Sequence, residues 1–243
     1  MKISTILHSA SKYLQYPELL MLRRKGVTAS QYSRYGQKWI KDLNLQAIFD
    51  IGANVGQSAI AFHALFPSAQ IYSFEPVPDC FETLKARTRG ISNIHAFNTA
   101  LGTIVGEMEF ERNEFPACSS FLPLSKSHIT LFNYAVQTNT IKVQVDTLDN
   151  FASQCTLPSP IMLKIDVQGF EEKVLRGGES LVRRSSVLII ETSFKALYEG
   201  QPLFKDIYSI LQSWGFEYAG SVENLQDPIT GVILQSDSIF RKL

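Results

Sequence analysis

Residues 49–62 read FDIGANVGQSAIAF: an apolar run ends in an acid, passes two glycines four positions apart and resumes in an apolar stretch with the look of a helix. A glycine-rich turn between a strand and a helix usually receives a nucleotide. That class runs from dinucleotides and triphosphates to nucleosides with no phosphate, so the side chains around the turn have to choose between them.

The rest of the chain supplies the architecture. From residue 47 onward, short runs rich in Ile, Val and Phe alternate with amphipathic segments, the pattern of strands and helices around a largely parallel sheet. The first strand is expected at 47–51, with its helix running from Gln57 and stopping by Pro67. QIYSFEP gives the second strand, and Asp79 with Glu82 three later predicts a capped helix start. NIHAFNTALG gives the third strand. EMEFER and IKVQVDTL both alternate with period two, which predicts an antiparallel pair or an extra ribbon beside the main sheet. Between them, about 27 residues lack periodicity, a length usually functional or mobile. IMLKIDV and VLIIETS read as buried strands, separated by a helix ending at Gly177-Gly178 in a left-handed cap. A helix over 202–214 puts Leu203, Ile207, Leu211 and Trp214 on one face, and final strands are expected at 216–221 and 238–242. The predicted fold is α/β: a doubly wound, mostly parallel sheet of seven strands over residues 47–243, with a helical N-terminal cap at 1–46 and a small β insertion.

Composition narrows the partners. The 243 residues carry 23 basic and 23 acidic side chains and are 45% hydrophobic, which fits a soluble globular protein and not a nucleic-acid binder, which would need a basic surplus. Arg23-Arg24-Lys25 and Arg183-Arg184 read as solvated surface. Cys80, Cys118 and Cys155 match neither a disulfide framework nor a zinc spacing, so a reducing cytoplasm is expected. No apolar run reaches the length of a membrane span, and the first 26 residues lack the continuous apolar stretch of a secretory signal.

In open α/β sheets ligands bind beyond the carboxyl ends of the strands. A dinucleotide fingerprint would read G-x-G-x-x-G and a P-loop would end in Gly-Lys-Ser/Thr; this turn reads D-x-G-x-N-x-G. Asp50 would repel a phosphate and suits a cationic amino group. Glu75, 25 residues later at the end of the second strand, can accept hydrogen bonds from both hydroxyls of a ribose. Together they suit S-adenosylmethionine, with its ammonium, sulfonium and free ribose. The ribose acid is shared with NAD enzymes, so a nicotinamide-dependent oxidoreductase is the alternative enzyme. In the structural alternative, Gly52 and Gly56 serve only close strand–helix packing.

FDIGANVG, FEPVP, FNTALG, CSSFL, VDTLD, LKIDVQGFEEKVLRGG and IIETS together resemble the FkbM family of S-adenosylmethionine-dependent methyltransferases, in the family's order over residues 47–193. The resemblance implies a Rossmann-like class I methyltransferase fold and a cofactor site of Asp50, Gly52, Asn54 and Gly56, with Glu75 on the ribose and Asn98 to Ala100 beside the adenine. Asp166 would then face the transferred methyl and the acceptor, a hydroxyl of a sugar, polyketide or other small metabolite. Ser119 and Ser120, in CSSFL, bond cofactor or acceptor, or merely shape a turn.

Methyl transfer is an in-line displacement from an already activated sulfonium, so alignment matters most. A hydroxyl acceptor must still lose its proton. Asp166 is the first candidate base and Glu191 the second; the alternative for Asp166 is a structural acid capping the following helix, that for Glu191 is similar, and Lys164 pairs with a carboxylate as a structural salt bridge in its own alternative. His63 and His95 read as packing residues, while His128 lies in the irregular segment. No metal is expected, since Asp166 and Glu191 have no evident third ligand. The cap and residues 113–140 are expected to shape the acceptor pocket. A scaffold that binds the cofactor without turnover is the non-enzymatic alternative, and a homodimer is compatible with the composition without being read from it.

Overall fold

The computed structural model describes residues 23–24, 28–131 and 138–243; of the helical cap expected over 1–46, residues 1–22 and 25–27 lie outside them. Helix α1 (Ala29–Tyr35) opens on a capping box, in which the Thr28 hydroxyl accepts from the Gln31 amide and the Gln31 side chain accepts from that of Thr28, meeting two of the donors that a helix start leaves over. After α2 (Lys38–Lys41), strand β1 (Ala47–Ile51) is buried along its whole length, as befits a strand with helices on both faces of its sheet.

Helix α3 (Gln57–Leu65), β2 (Gln70–Phe74) and α4 (Pro78–Arg87) follow. The α4 start differs from expectation: Pro78 opens the helix, where a missing N–H is harmless, and Asp79 instead pairs with Arg112 at 2.7 Å. The expected third strand is split, because β3 (Ile94–Phe97) joins the main sheet while β4 (Ala100–Gly102) turns away into a second one. There β4 and β5 (Gly106–Asn113) flank β6 (Thr138–Thr147), β5 antiparallel to it as the period-two pattern predicts. Between β5 and β6 lie a 3-10 turn at Pro116–Cys118 and α5 (Lys126–Leu131).

Helix α6 (Leu148–Ser153) leads to β7 (Ile161–Ile165). Next come α7 (Glu171–Gly177) and α8 (Glu179–Arg184), separated by a break at Gly178. The two glycines do not make the expected left-handed cap, since Gly178 has φ −132°. They serve packing: a Cβ on Gly177 would lie 1.8 Å from the Gly102 carbonyl, and one on Gly178 2.6 Å from Leu148. The chain ends with β8 (Val187–Ser193), α9 (Phe204–Ser213), β9 (Phe216–Gln226) and β10 (Ile233–Lys242), the last two strands longer than their apolar patches suggest.

The main sheet has seven strands in the order β3-β2-β1-β7-β8-β10-β9. Its pairs are parallel except those of β10, which runs antiparallel to both neighbours. Side chains alternate across β1 with period two: Ile48 packs with Tyr32, Tyr35, Ile40 and Phe62 on one face, while Phe49 and Ile51 pack with Leu163, Leu175 and Leu211 on the other. Residues 28–46 therefore share the core of the main sheet. Strand order reverses beside β1, the position at which an open α/β sheet parts its loops and leaves a crevice.

Candidate functional site

The turn after β1 is held by close backbone approach. Gly52 has φ +81°, and a Cβ there would sit 1.8 Å from the Asp166 carbonyl; the amides of Gly52 and Ala53 both donate to the Phe74 carbonyl. Asn54 follows in the left-handed region at φ 49°, and its amide donates to Glu75 Oε2 at 2.8 Å. Glu75 Oε1 accepts from the Val77 amide at 2.9 Å. Burial, opposed by these two amides, pushes the Glu75 carboxyl up to about 7. Each of its oxygens keeps acceptor capacity for a further donor.

Glu75 lines a cavity with Gly52, Asn54, Ala100, Ser119 and Asp166, all sequence candidates, against apolar walls that include Ile51, Phe74, Leu101 and Phe121. Among the described residues that line it there is no Lys, Arg or His. Three candidates stand behind the wall instead. The Asn98 carboxamide braces the floor, donating to the carbonyls of Glu75 and Pro76. Gly56 takes φ +86° against Leu84. Asp50 has no exposed surface, because it lies one residue inside the strand on the face that α3 covers. Ser119 serves the loop as well, its hydroxyl accepting from the Asn113 amide.

Asp50 belongs to a buried charge group. Lys164 Nζ lies 3.7 Å from Asp50 Oδ1 and 3.2 Å from Asp166 Oδ2, and donates to the Gly52 carbonyl at 3.3 Å. Burial alone would lower the lysine pKa, but Asp166 and Asp50 outweigh it and raise it; burial also raises that of Asp50. Asp166 Oδ1 accepts from the Gln168 carboxamide at 2.8 Å. The helix-cap role considered for Asp166 is not taken: the N-cap of α7 is Phe170, with no side-chain cap bond, and Glu171 Oε1 instead accepts from the amides of Val167 and Gly169 in the turn before the helix.

Gln168 is a residue that sequence reasoning missed. Its backbone is left-handed (φ 56°), its Nε2 also donates to Glu191 Oε2 at 3.2 Å, and its Oε1 accepts from the Tyr198 hydroxyl at 2.8 Å. The Ser120 hydroxyl donates to its carbonyl. The signal was present in the Gln-Gly pair after Asp166, a turn pattern, but Tyr198 had none. Glu191 Oε2 accepts from Gln235 too, and burial, reinforced by Asp166 and Glu171, raises its pKa well above the carboxylate range.

A second cleft adjoins the first, sharing Ala117, Asp166 and Gln168 with it. Its walls add Arg34 of α1, Cys118 and His128 of the irregular segment, Glu191, and residues of β9 and β10. Arg34 pairs with Asp237 at 2.9 Å and with Glu223. His128 is buried edge-on to Tyr198, and that burial lowers its pKa. His63 and His95 are engaged elsewhere, with Asn93 and Gln70. Among the described residues no three His, Cys, Asp or Glu side chains converge as metal ligands do, and no helix is long and apolar enough to cross a membrane.

A seven-stranded sheet whose penultimate strand position is filled by the reversed last strand, with a glycine turn after β1 and an acid after β2, defines the class I methyltransferase fold. The chain belongs to the FkbM methyltransferase family: the methyltransferase FkbM domain matches residues 50–218. It is 28% identical to the 2-O-methyltransferase NoeI of Sinorhizobium fredii, over 69% of this chain and 71% of that protein. It is 23% identical to the hexuronic acid methyltransferase AglP of Haloferax volcanii, over 59% of this chain and only 54% of the relative. Among solved structures, the precorrin-6y C5,15-methyltransferase of Geobacter metallireducens superimposes with a TM-score of 0.40 at 14% identity, over 84% of this chain and 85% of that one.

Proposed function

We propose that this protein transfers a methyl group from S-adenosylmethionine to a hydroxyl oxygen of a small-molecule acceptor. The observation that carries the reading is Asp166, whose carboxylate stands where two cavities meet. The named activities of the two relatives support methyl transfer to oxygen. The cavity fits the cofactor chemically: Glu75 keeps lone pairs for two ribose hydroxyls, the apolar walls suit an adenine, and its described lining offers no cation for a phosphate.

Gly52, Asn54, Glu75, Ala100 and Ser119 would hold the cofactor, with Asn98 and Gly56 keeping those walls in place. Asp50 acts through Lys164 in this reading: being fully buried it meets no ligand, but with Asp166 it keeps the ammonium charged. S-adenosylmethionine supplies a methyl on a sulfonium, a leaving group that needs no acid.

The chain's own residues orient the acceptor and take its proton. Lys164 and Gln168 fix the two oxygens of Asp166, leaving their free lone pairs to accept from the acceptor hydroxyl. Glu191 is the second candidate, since burial, reinforced by Asp166 and Glu171, favours its protonated form over the carboxylate that would accept a proton. The reading is tested by calorimetry with S-adenosylhomocysteine together with transfer of labelled methyl to a panel of hydroxylated acceptors. Binding plus a methyl ether is expected; binding with no transfer, or methylation only on nitrogen, overturns it.

A further inference from the structure

The second cleft has a composition that the cofactor cavity lacks. Asp166, Glu223 and Asp237 face it against the single guanidinium of Arg34, with the Glu191 carboxyl and the carboxamides of Gln168 and Gln235 between them. Only Ala117, Cys118 and Leu225 interrupt this polar wall among its described residues. Arg34 is already committed to Asp237 and Glu223, and Lys164 behind the wall to Asp50 and Asp166. An entering anion therefore meets carboxylates whose nearest cations are occupied.

Two further atoms point to a polar occupant. Ser236 lines the cleft at 2% exposure, and its buried hydroxyl oxygen has no hydrogen-bond partner. Arg34, whose side chain is 10% exposed, has a buried Nε–H in the same condition. Buried polar groups are nearly always paired, so these two beside the cleft leave its wall with hydrogen-bonding capacity that a polar occupant would complete. Carboxylates and carboxamides side by side accept from and donate to neighbouring hydroxyls, whereas an apolar chain would strand all of them.

We propose that this cleft receives a polyhydroxylated acceptor bearing no anionic group, a neutral or amino-substituted glycoside, and discriminates against uronic acids. The inference rests on the acceptor side of the proposed function and adds the charge that the site selects. Like charges brought together across an interface disfavour the wrong partner, so the selection follows from the wall itself. Polarity here would separate this chain from a methyltransferase whose acceptor is a hexuronic acid, such as the relative AglP is named for.

Saturation-transfer NMR on the full chain with S-adenosylhomocysteine tests it, using methyl glucoside, methyl glucosaminide and methyl glucuronide as separate probes at neutral pH. The first two are expected to take up saturation at least fivefold more strongly than the glucuronide. Equal or stronger saturation of the glucuronide, or none with any probe, overturns the assignment. Glu223→Gln, at a half-exposed position, should raise the glucuronide signal about threefold while leaving S-adenosylhomocysteine affinity unchanged by calorimetry; an unmoved glucuronide signal counts against the charge argument. Absent S-adenosylhomocysteine binding in wild-type protein would instead overturn the cofactor reading, so the two failures are distinguishable.

Discussion

The two cavities that meet at Asp166 are built from different materials. The one ending at Glu75 is made largely of backbone and apolar side chains from short stretches that follow β1, β2, β3 and β7 and from β5 and the turn after it, and main-chain amides fix its Glu75. The cleft beyond Asp166 is made of charged and amide side chains carried by α1, β8, β9 and β10. A wall of backbone tolerates few changes at its glycines and many elsewhere. A wall of side chains can change its ligand by single substitutions while the fold stays as it is.

The comparison breaks most readily at the junction. Asp166→Asn should cut turnover by about 10²- to 10⁴-fold, the range of general base catalysis, with S-adenosylhomocysteine affinity moving less than about threefold in calorimetry. Unchanged turnover would remove Asp166 as the base. Next in size, Gly52→Ala forces a Cβ onto the Asp166 carbonyl in a left-handed backbone. A loss of about 3 kcal/mol corresponds to a fall in melting temperature of roughly 6–12 °C, read by scanning calorimetry.

Glu75→Ala strands the amides of Asn54 and Val77 and removes the proposed ribose acceptor, so cofactor affinity should weaken by about 30- to 100-fold, or 2–3 kcal/mol. The smallest effect sharpens the same point through pH. With Glu75 pushed up to about 7, its ionised form, the better acceptor, gains ground as pH rises, and affinity should increase up to about tenfold between about pH 6 and pH 8. Glu75→Gln should flatten that rise. Stability runs the other way: Glu75 and Glu171 bind protons more tightly folded than unfolded. Their contribution to stability is therefore full at pH values below the ordinary 4.5, is lost as pH climbs to about 7 and stays level above it. A melting temperature that rises across that window would contradict both assignments.

The same contrast explains what the sequence revealed. Gly52, Asn54 and Glu75 sit in short motifs whose spacing reports a backbone geometry, so their meeting in one cavity was legible, as were β1, β2, α3 and the antiparallel pair β5–β6. Asp50 was misplaced because linear spacing gives the end of a strand but not which face a side chain takes. The glycines at 177 and 178 looked like a cap because the sequence cannot show that Gly102 and Leu148 press on them. Arg34, Tyr198 and Gln235 carry no local pattern at all. Arg34 meets Asp237, and Gln235 meets Glu191, only through the order of the strands.

That order has a consequence for how the protein is made. Arg34 and Asp237 form an ion pair across 203 positions, while the residues lining the first cavity lie between 51 and 168. On a ribosome, the nascent chain would expose every wall of the first cavity some 70 residues before β10 emerges. The walls of the first cavity are thus made well before the strand that completes the second, and that cleft stays open on one side until β10 lies between β8 and β9.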